Sequence, residues 1–132
     1  MIDRETAEQE VNAWLEAKKV FPSTIEDNKD SIEILIESIM YGILTFEKGD
    51  NSFKHQLLFP LGEDGAMVTE LKYIHRVNDK ILQRFMKGVA AKDADGRLNA
   101  TIAALTNTAR GIIEGLDTMD KKVSNAIAIF FF

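Results

Sequence analysis

The chain has 132 residues, of which 45% are hydrophobic and 28% charged, a balance typical of one ordinary globular domain rather than a disordered chain. It contains no cysteine, which excludes disulfide and thiolate chemistry and favours synthesis inside a cell. The net charge of −5 argues against a nucleic-acid partner.

Charge is unevenly distributed along the chain. Residues 1–50 carry 12 acidic and 5 basic side chains, whereas residues 51–132 carry 9 acidic and 11 basic ones. The acidic part of one copy can therefore attract the more basic part of a second copy, and a homo-oligomer is one possible assembly of this chain. The most apolar stretch, residues 32–46, contains two glutamates and a glycine and falls short of the ~20 residues that span a bilayer, so no membrane partner is expected. The charged first residues predict no secretory signal.

Two helices are predicted in the acidic part, residues 1–50. Thr6 and Gln9 have the spacing of a capping box, and the helix that they open should end before Phe21-Pro22. A polar link over residues 22–29 follows. Asp30 is then predicted to cap a second helix, whose apolar residues recur at spacings of three and four through Leu44 and which should stop at Gly49.

The pattern changes after residue 50. Residues 53–59 and 67–74 are β-prone runs on either side of a turn-rich segment, residues 62–65, and they predict a β-hairpin. Pro60 lacks a backbone N–H and should therefore lie at an edge or an end of the hairpin.

Helices are predicted for the rest of the chain. Asn78 should begin a helix that carries apolar residues through Val89, and the loop over residues 92–96 leads to an alanine-rich helix ending near Leu105. A short helical turn over residues 108–116 precedes a last helix that Asp117 or Thr118 caps. The sequence thus predicts a single α+β domain over residues 1–132, mostly helical, with about five helices and one β-hairpin.

No constellation of catalytic, cofactor-binding or metal-binding residues is recognisable. The two histidines, His55 and His75, are expected as half-exposed strand residues without further ligands at metal-binding spacing. The segment from Asp93 to Gly96 lacks the bidentate glutamate of a calcium loop and predicts a turn and helix cap. Phosphate-loop and nucleophile motifs are missing as well. We therefore predict that the chain is not an enzyme and carries no cofactor.

Two groups of residues are candidates for partner binding. Lys80, Arg84 and Lys87 fall on one face of the predicted helix that Asn78 begins, where they form either a phosphate-binding stripe or simply a solvated face. Phe130, Phe131 and Phe132 end an uninterrupted apolar run. A helix buries only part of such a run in the core of its own domain. These residues therefore either pack on that core or stay exposed and bind a protein partner.

Three short motifs resemble those of a known family. They are Thr69-Glu70-Leu71 in the second predicted strand, the segment Ala103–Thr108, and the segment Gly111–Asp120 before the last helix. Together they resemble the tail assembly chaperones of tailed bacteriophages, in particular the Mu-like class, over roughly residues 56–132. The family's usual glycine is replaced by Asn107, which can also adopt the left-handed conformation. The first 50 residues have no counterpart in the pattern.

The resemblance implies a non-catalytic role in the host cytoplasm. Such chaperones coat the tape-measure protein and recruit tail-tube proteins during virion assembly, and these two proteins would then be the partners. The family also implies a frameshifted longer product, for which the codons of Phe130–Phe132 would be the slippery site. Two other hypotheses stay open: a structural virion protein of the neck or tail, and an acidic regulatory module that binds a nucleic-acid-binding protein.

Overall fold

The computed structural model describes residues 1–62 and 67–132, which form seven α-helices, a short 3-10 helix and three β-strands. The α+β class and the mostly helical content are confirmed, whereas the predicted number of helices, about five, is too low. The helices are α1 (Arg4–Lys18), α2 (Pro22–Asp27), α3 (Lys29–Met40), α4 (Asp79–Met86), α5 (Ala94–Thr106), α6 (Arg110–Glu114), α7 (Thr118–Ala128) and the 3-10 helix Ile129–Phe131. The strands are β1 (Leu44–Glu47), β2 (Ser52–Leu61) and β3 (Val68–Tyr73).

The start of α1 differs from the predicted capping box. The N-cap is Asp3, whose carboxylate accepts a hydrogen bond from the backbone N–H of Thr6 at 2.7 Å, so that Thr6 lies inside the helix. Aspartate is as good an N-cap as serine or threonine, and its charge suits the positive end of the helix dipole. The helix ends at Lys19, which adopts a left-handed conformation with φ 58°.

The predicted polar link contains α2. Its first residue is Pro22, whose fixed φ suits the first helical position and whose missing N–H is not needed there. The next helix, α3, has Asn28 as its N-cap, and Asp30, predicted as the cap, lies in the first turn. The N-caps of α1 and α3 thus lie three and two residues before the predicted ones.

The end of α3 corrects the largest error of the sequence interpretation. The apolar spacing predicted a helix that stops at Gly49, but α3 ends at Met40. Gly42 has φ +77°, and the backbone N–H of Ile43 donates to the carbonyl oxygen of Ser38 at 2.9 Å. This is the Schellman arrangement, in which a left-handed glycine ends a helix. Leu44, predicted on the helical stripe, instead begins β1.

The three strands form an antiparallel sheet in the order β1-β2-β3. The predicted hairpin is β2–β3, with Phe53 opposite Tyr73, and β1 extends it with Phe46 opposite Phe53. Pro60 lies near the end of β2, in the stretch where the pairing with β3 is irregular and which β1 does not reach. The predicted turn over residues 62–65 falls largely on residues 63–66, outside the described residues.

One face of the sheet is covered by helices. Alternate residues of the strands are buried, including Leu44, Phe53 and Tyr73, while their neighbours face outward. Helix α3 contacts β1, α7 contacts β2 and α5 contacts β3. The helical layer and the sheet therefore share one hydrophobic core.

The second half contains the predicted caps. Asn78, Asp93 and Asp117 each accept a hydrogen bond from a backbone N–H of the helix that follows. Asp93 is thus a helix cap, as predicted. Asn107 ends α5 with φ 49°, the left-handed conformation expected of it. Because α4 ends at Met86, Lys87 and Val89 lie beyond the helix, in contrast to the prediction.

Candidate protein-binding site

The three C-terminal phenylalanines differ in exposure. Phe130 is buried in the core, where its ring packs edge-on against Trp14 with 5.7 Å between centroids. Phe131 is half-buried, and Phe132 is 56% exposed. Core packing therefore accounts for Phe130, whereas Phe131 and Phe132 retain apolar surface.

An open groove lies between these two phenylalanines and α4. It has a volume of about 470 Å³. Its apolar lining consists of Leu82, Met86, Val89, Phe131 and Phe132, with Asp79, Gln83, Ala91 and Arg97 completing the wall. None of the residues of α4 is buried, although the helix is strongly amphipathic and packs on α5. We call this feature the α4 groove; its apolar side chains are only partly covered by the rest of the described chain.

A second, smaller cavity of about 270 Å³ lies on the other side of Phe131, next to the end of α1. We call it the α1 pocket, and its walls combine aromatic and cationic side chains. They are Lys18, Lys19, Val20, Phe21, Thr24, Arg76, Val77 and Phe130–Phe132. Phe131 and Phe132 line both cavities, so the α4 groove and the α1 pocket adjoin.

The ammonium group of Lys18 is held in the α1 pocket. Its Nζ lies 3.2 Å from the ring centroid of Phe131 and 5.4 Å from that of Trp14, and it donates to the carbonyl oxygen of His75 at 3.3 Å. Burial, and secondarily the charge of Arg76, lower the pKa of Lys18 to about 8. Cation–π contacts and one carbonyl thus stabilise a charge that burial disfavours.

The predicted basic residues do not join this site. Lys80, Arg84 and Lys87 are exposed and line neither cavity. In the described part of the chain no carboxylate lies within 4 Å of their nitrogen atoms. The sequence analysis missed Lys18 and Arg76. Lys18 has no distinctive sequence signal, since a lysine in the last turn of a helix is commonplace.

A buried polar network lies elsewhere, between the sheet and α7. The hydroxyl of Tyr73 is 2.9 Å from Nδ1 of His55 and 2.6 Å from Oγ of Ser124. The carboxylate of Asp120 accepts hydrogen bonds from the backbone N–H groups of Leu58 at 2.8 Å and Phe59 at 3.0 Å. All four side chains of the network are buried. It therefore joins β2 and β3 to α7 and does not open to solvent.

His55 lies between Tyr73 and Asp120 in this network and is fully buried, contrary to the prediction of a half-exposed histidine. Its Nε2 lies 3.4 Å from Oδ1 of Asp120, within reach of Coulomb attraction but without the geometry of a regular hydrogen bond. In the neutral form, the carboxylate of Asp120 favours the tautomer with the proton on Nε2, which leaves Nδ1 to accept from the hydroxyl of Tyr73. Burial lowers the pKa of His55 although Asp120 acts in the opposite direction. His75, predicted in a strand, lies just beyond β3.

Over residues 1–62 and 67–132, three or more histidine, aspartate or glutamate side chains do not converge in a way that could hold a metal ion. Within the same ranges, every helix is too short or too polar to cross a bilayer. Comparisons with protein-family models, curated proteins and solved structures found no match to this chain.

Proposed function

We propose that this protein is a non-catalytic assembly chaperone of a tailed bacteriophage, which binds an apolar helical segment of the tape-measure protein in the α4 groove. The observation that carries the proposal is the groove itself, where Leu82 and Met86 of α4 face Phe131 and Phe132 across about 470 Å³. An amphipathic helix binds such a groove by inserting side chains from one of its faces. A chaperone that coats an apolar helical partner needs a surface of this kind.

The places of the family-like motifs in the fold support the proposal. Thr69, Glu70 and Leu71 lie in β3, the second strand of the hairpin. The segment 103–108 ends α5, where Asn107 takes the conformation that a glycine would adopt. The segment 111–120 runs from α6 into the first turn of α7. The first motif thus lies within a strand of the hairpin, and the other two lie at junctions between helices, as the resemblance implies.

Site-specific photo-crosslinking in cells that produce both proteins tests the proposal. A crosslinking amino acid in place of Met86, in the groove, should form an adduct with the tape-measure protein. The same amino acid in place of Thr45, which is exposed on β1, is the matched control and should form none. Equal adducts at both positions, or none at either, would contradict binding in the groove.

Mass spectrometry of purified virions separates a chaperone from a structural virion protein. A chaperone leaves when assembly is complete, so the chain should be absent from finished particles or present far below the level of the tail-tube protein. A neck or tail subunit would be found in stoichiometric amount. That result would overturn the chaperone proposal even if the groove binds a helix.

A further inference from the structure

The α1 pocket holds positive charge that lacks an anionic partner. Lys18, Lys19 and Arg76 line it, and in residues 1–62 and 67–132 no carboxylate lies within 4 Å of any of their side-chain nitrogen atoms. The other charged or titratable neighbour of Lys18 is His75, whose own pKa is lowered first by burial and further by Lys18 and Arg76. Lys19 and Arg76 are exposed, whereas Lys18 is partly buried, and an ammonium group that is partly withdrawn from water without a counter-charge is costly to the folded protein.

The donors of the two principal cations are only partly used. Lys18 has three N–H donors and gives one to the carbonyl oxygen of His75. Arg76 donates from one terminal nitrogen to the carbonyl oxygen of Lys18 at 3.4 Å, which fixes the guanidinium beside the end of α1. The remaining donors are available for an anion, and a guanidinium beside an ammonium suits a carboxylate.

We propose that the α1 pocket binds the carboxylate of an acidic residue, next to an apolar or aromatic one, on the same protein segment that fills the α4 groove. The identity of the bound protein rests on the proposed function. The preference for a carboxylate beside an apolar side chain rests on Lys18, Arg76 and Phe131.

Three observations favour a carboxylate from a protein over a nucleic-acid phosphate. The whole chain has a net charge of −5, which repels polyanions. The pocket also has an apolar wall, including Val20 and Phe21, against which a neighbouring apolar side chain can pack. Finally, the pocket adjoins the α4 groove at Phe131 and Phe132, so one bound segment can occupy both.

The first test uses phenylacetate as the probe for an aromatic carboxylate, with phenylacetamide as its neutral counterpart. Backbone amide shifts of Val20 and Thr24, which line the pocket, are followed by NMR. Phenylacetate should bind and phenylacetamide at least about tenfold more weakly, because hydrogen bonds to charged groups contribute most of the affinity. Equal binding of the two compounds, or binding of inorganic phosphate as tightly as phenylacetate, would overturn the proposal.

Variants then locate the binding. Lys18→Met and Arg76→Met keep an unbranched apolar stem and remove the charge, and each should weaken phenylacetate binding about tenfold or more. Lys92→Met removes a charge from an exposed lysine outside the pocket and should leave binding unchanged. Wild-type affinity in both pocket variants would show that the anion binds elsewhere.

The pH dependence provides an independent readout. The pKa of Lys18 is about 8. Phenylacetate, a carboxylate, is ionised at every pH of the experiment. Binding should therefore be strongest at about pH 7 and below, and weaken several-fold as the pH rises through 8 towards 9.5, since the ammonium loses its proton. The charged group that acts on Lys18 is Arg76, and the neighbouring titratable group is His75, whose pKa is lowered and which is therefore neutral over this range. Affinity that is constant from pH 7 to 9.5 would exclude Lys18 as the principal ligand.

Sedimentation analysis distinguishes the source of the carboxylate. The wild-type protein alone should show no assembly that phenylacetate dissociates. If phenylacetate or Lys18→Met instead breaks up a complex between copies of this chain, the carboxylate comes from a second copy and the assignment to another protein is wrong. Phenylacetate is tested on the isolated chain, so its failure to bind would not affect the results of the crosslinking and virion experiments. Failure of those two experiments would likewise leave phenylacetate binding to the α1 pocket unaffected.

Discussion

The buried side chain of Asp120 provides hydrogen-bond acceptors that a neighbouring strand would otherwise provide. Its two carboxylate oxygens accept the backbone N–H groups of Leu58 and Phe59, in a part of β2 where β1 no longer provides a partner. A buried N–H without an acceptor is costly, so this carboxylate satisfies two donors and fixes α7 on the sheet. The sequence could not reveal this role, because the residues that Asp120 contacts are about sixty positions away in the chain.

We expect Asp120→Asn to lower the free energy of unfolding by ~2–4 kcal/mol, because an amide has one acceptor oxygen and would turn its own N–H donors towards a backbone donor. Urea denaturation measures the change. Asp117→Asn is the matched control on the same helix, since Asp117 is a half-buried N-cap and asparagine caps equally well. A similar loss in both variants would show that Asp120 has no special role.

His55 makes stability depend on pH in a defined direction. Burial lowers its pKa below the ordinary value of 6.5, so at mildly acidic pH the unfolded chain binds more protons than the folded one. Its contribution to stability is complete above pH 6.5 and is lost as the pH falls below that value. The lowered pKa of His75 acts in the same direction.

We therefore expect the free energy of unfolding to fall from pH 7 to pH 5, and to fall less steeply in His55→Gln. Urea denaturation at several pH values provides the slopes, so an overall loss of stability in the variant does not obscure the comparison. His75→Gln should change the slope less, because His75 is only half-buried. Identical slopes in the wild type and His55→Gln would contradict the assignment.

At the scale of elements, Gly42 decides where α3 becomes β1. The apolar spacing through residues 32–44 satisfies a helix throughout, yet the chain leaves the helix because Gly42 adopts φ +77° and β1 finds its partner in β2. Apolar periodicity is a local signal, whereas strand pairing depends on residues that lie further along the chain. A glycine within a helical pattern was the signal that favoured the break.

A pair of glycine substitutions should have opposite effects on stability. Gly42→Ala should cost about 1 kcal/mol, because alanine is strained at positive φ even though a Cβ atom meets nothing within 4 Å there. Gly111→Ala, in α6, has equal space and an ordinary helical backbone, so it should stabilise by roughly 0.5–1 kcal/mol. Thermal unfolding measures both. Destabilisation by both changes, or by neither, would contradict this account of the α3 end.

Predictions from local sequence signals succeeded for the helix caps of the second half of the chain and for the hairpin, whereas the caps predicted at Thr6 and Asp30 were wrong. The caps Asn78, Asp93 and Asp117 and the left-handed Asn107 follow from residue types beside apolar runs, and the hairpin follows from its alternation. β1 was missed because its four residues continue the pattern of a helix. For the candidate site, Phe131 and Phe132 were predicted, whereas the opposing face of α4 requires the tertiary arrangement to be known.

At the scale of the whole molecule, the acidic part is only partly neutralised by its own cations. Arg4 forms a two-pronged pair with Glu33 at 2.7 and 2.6 Å, which joins α1 to α3, and a further pair links Lys29 to Glu26. In the described part of the chain no cation lies within 4 Å of the exposed carboxylate of Glu5 or Glu37.

These free carboxylates, with the exposed Lys80, Arg84 and Lys87 of the other part, are the basis of our last prediction: copies associate head to tail at low salt. Exposed charges are screened beyond ~10 Å at 0.1 M salt, so association should weaken roughly tenfold between low and high salt in sedimentation experiments. Lys80→Glu with Arg84→Glu should abolish it, whereas Lys48→Glu with Lys92→Glu, which changes the net charge equally, should reduce it less.

A head-to-tail contact leaves one acidic and one basic surface free at the ends, so the assembled size should grow with concentration instead of stopping at a dimer. A monomer at low salt, or a closed dimer indifferent to salt, would rule this arrangement out.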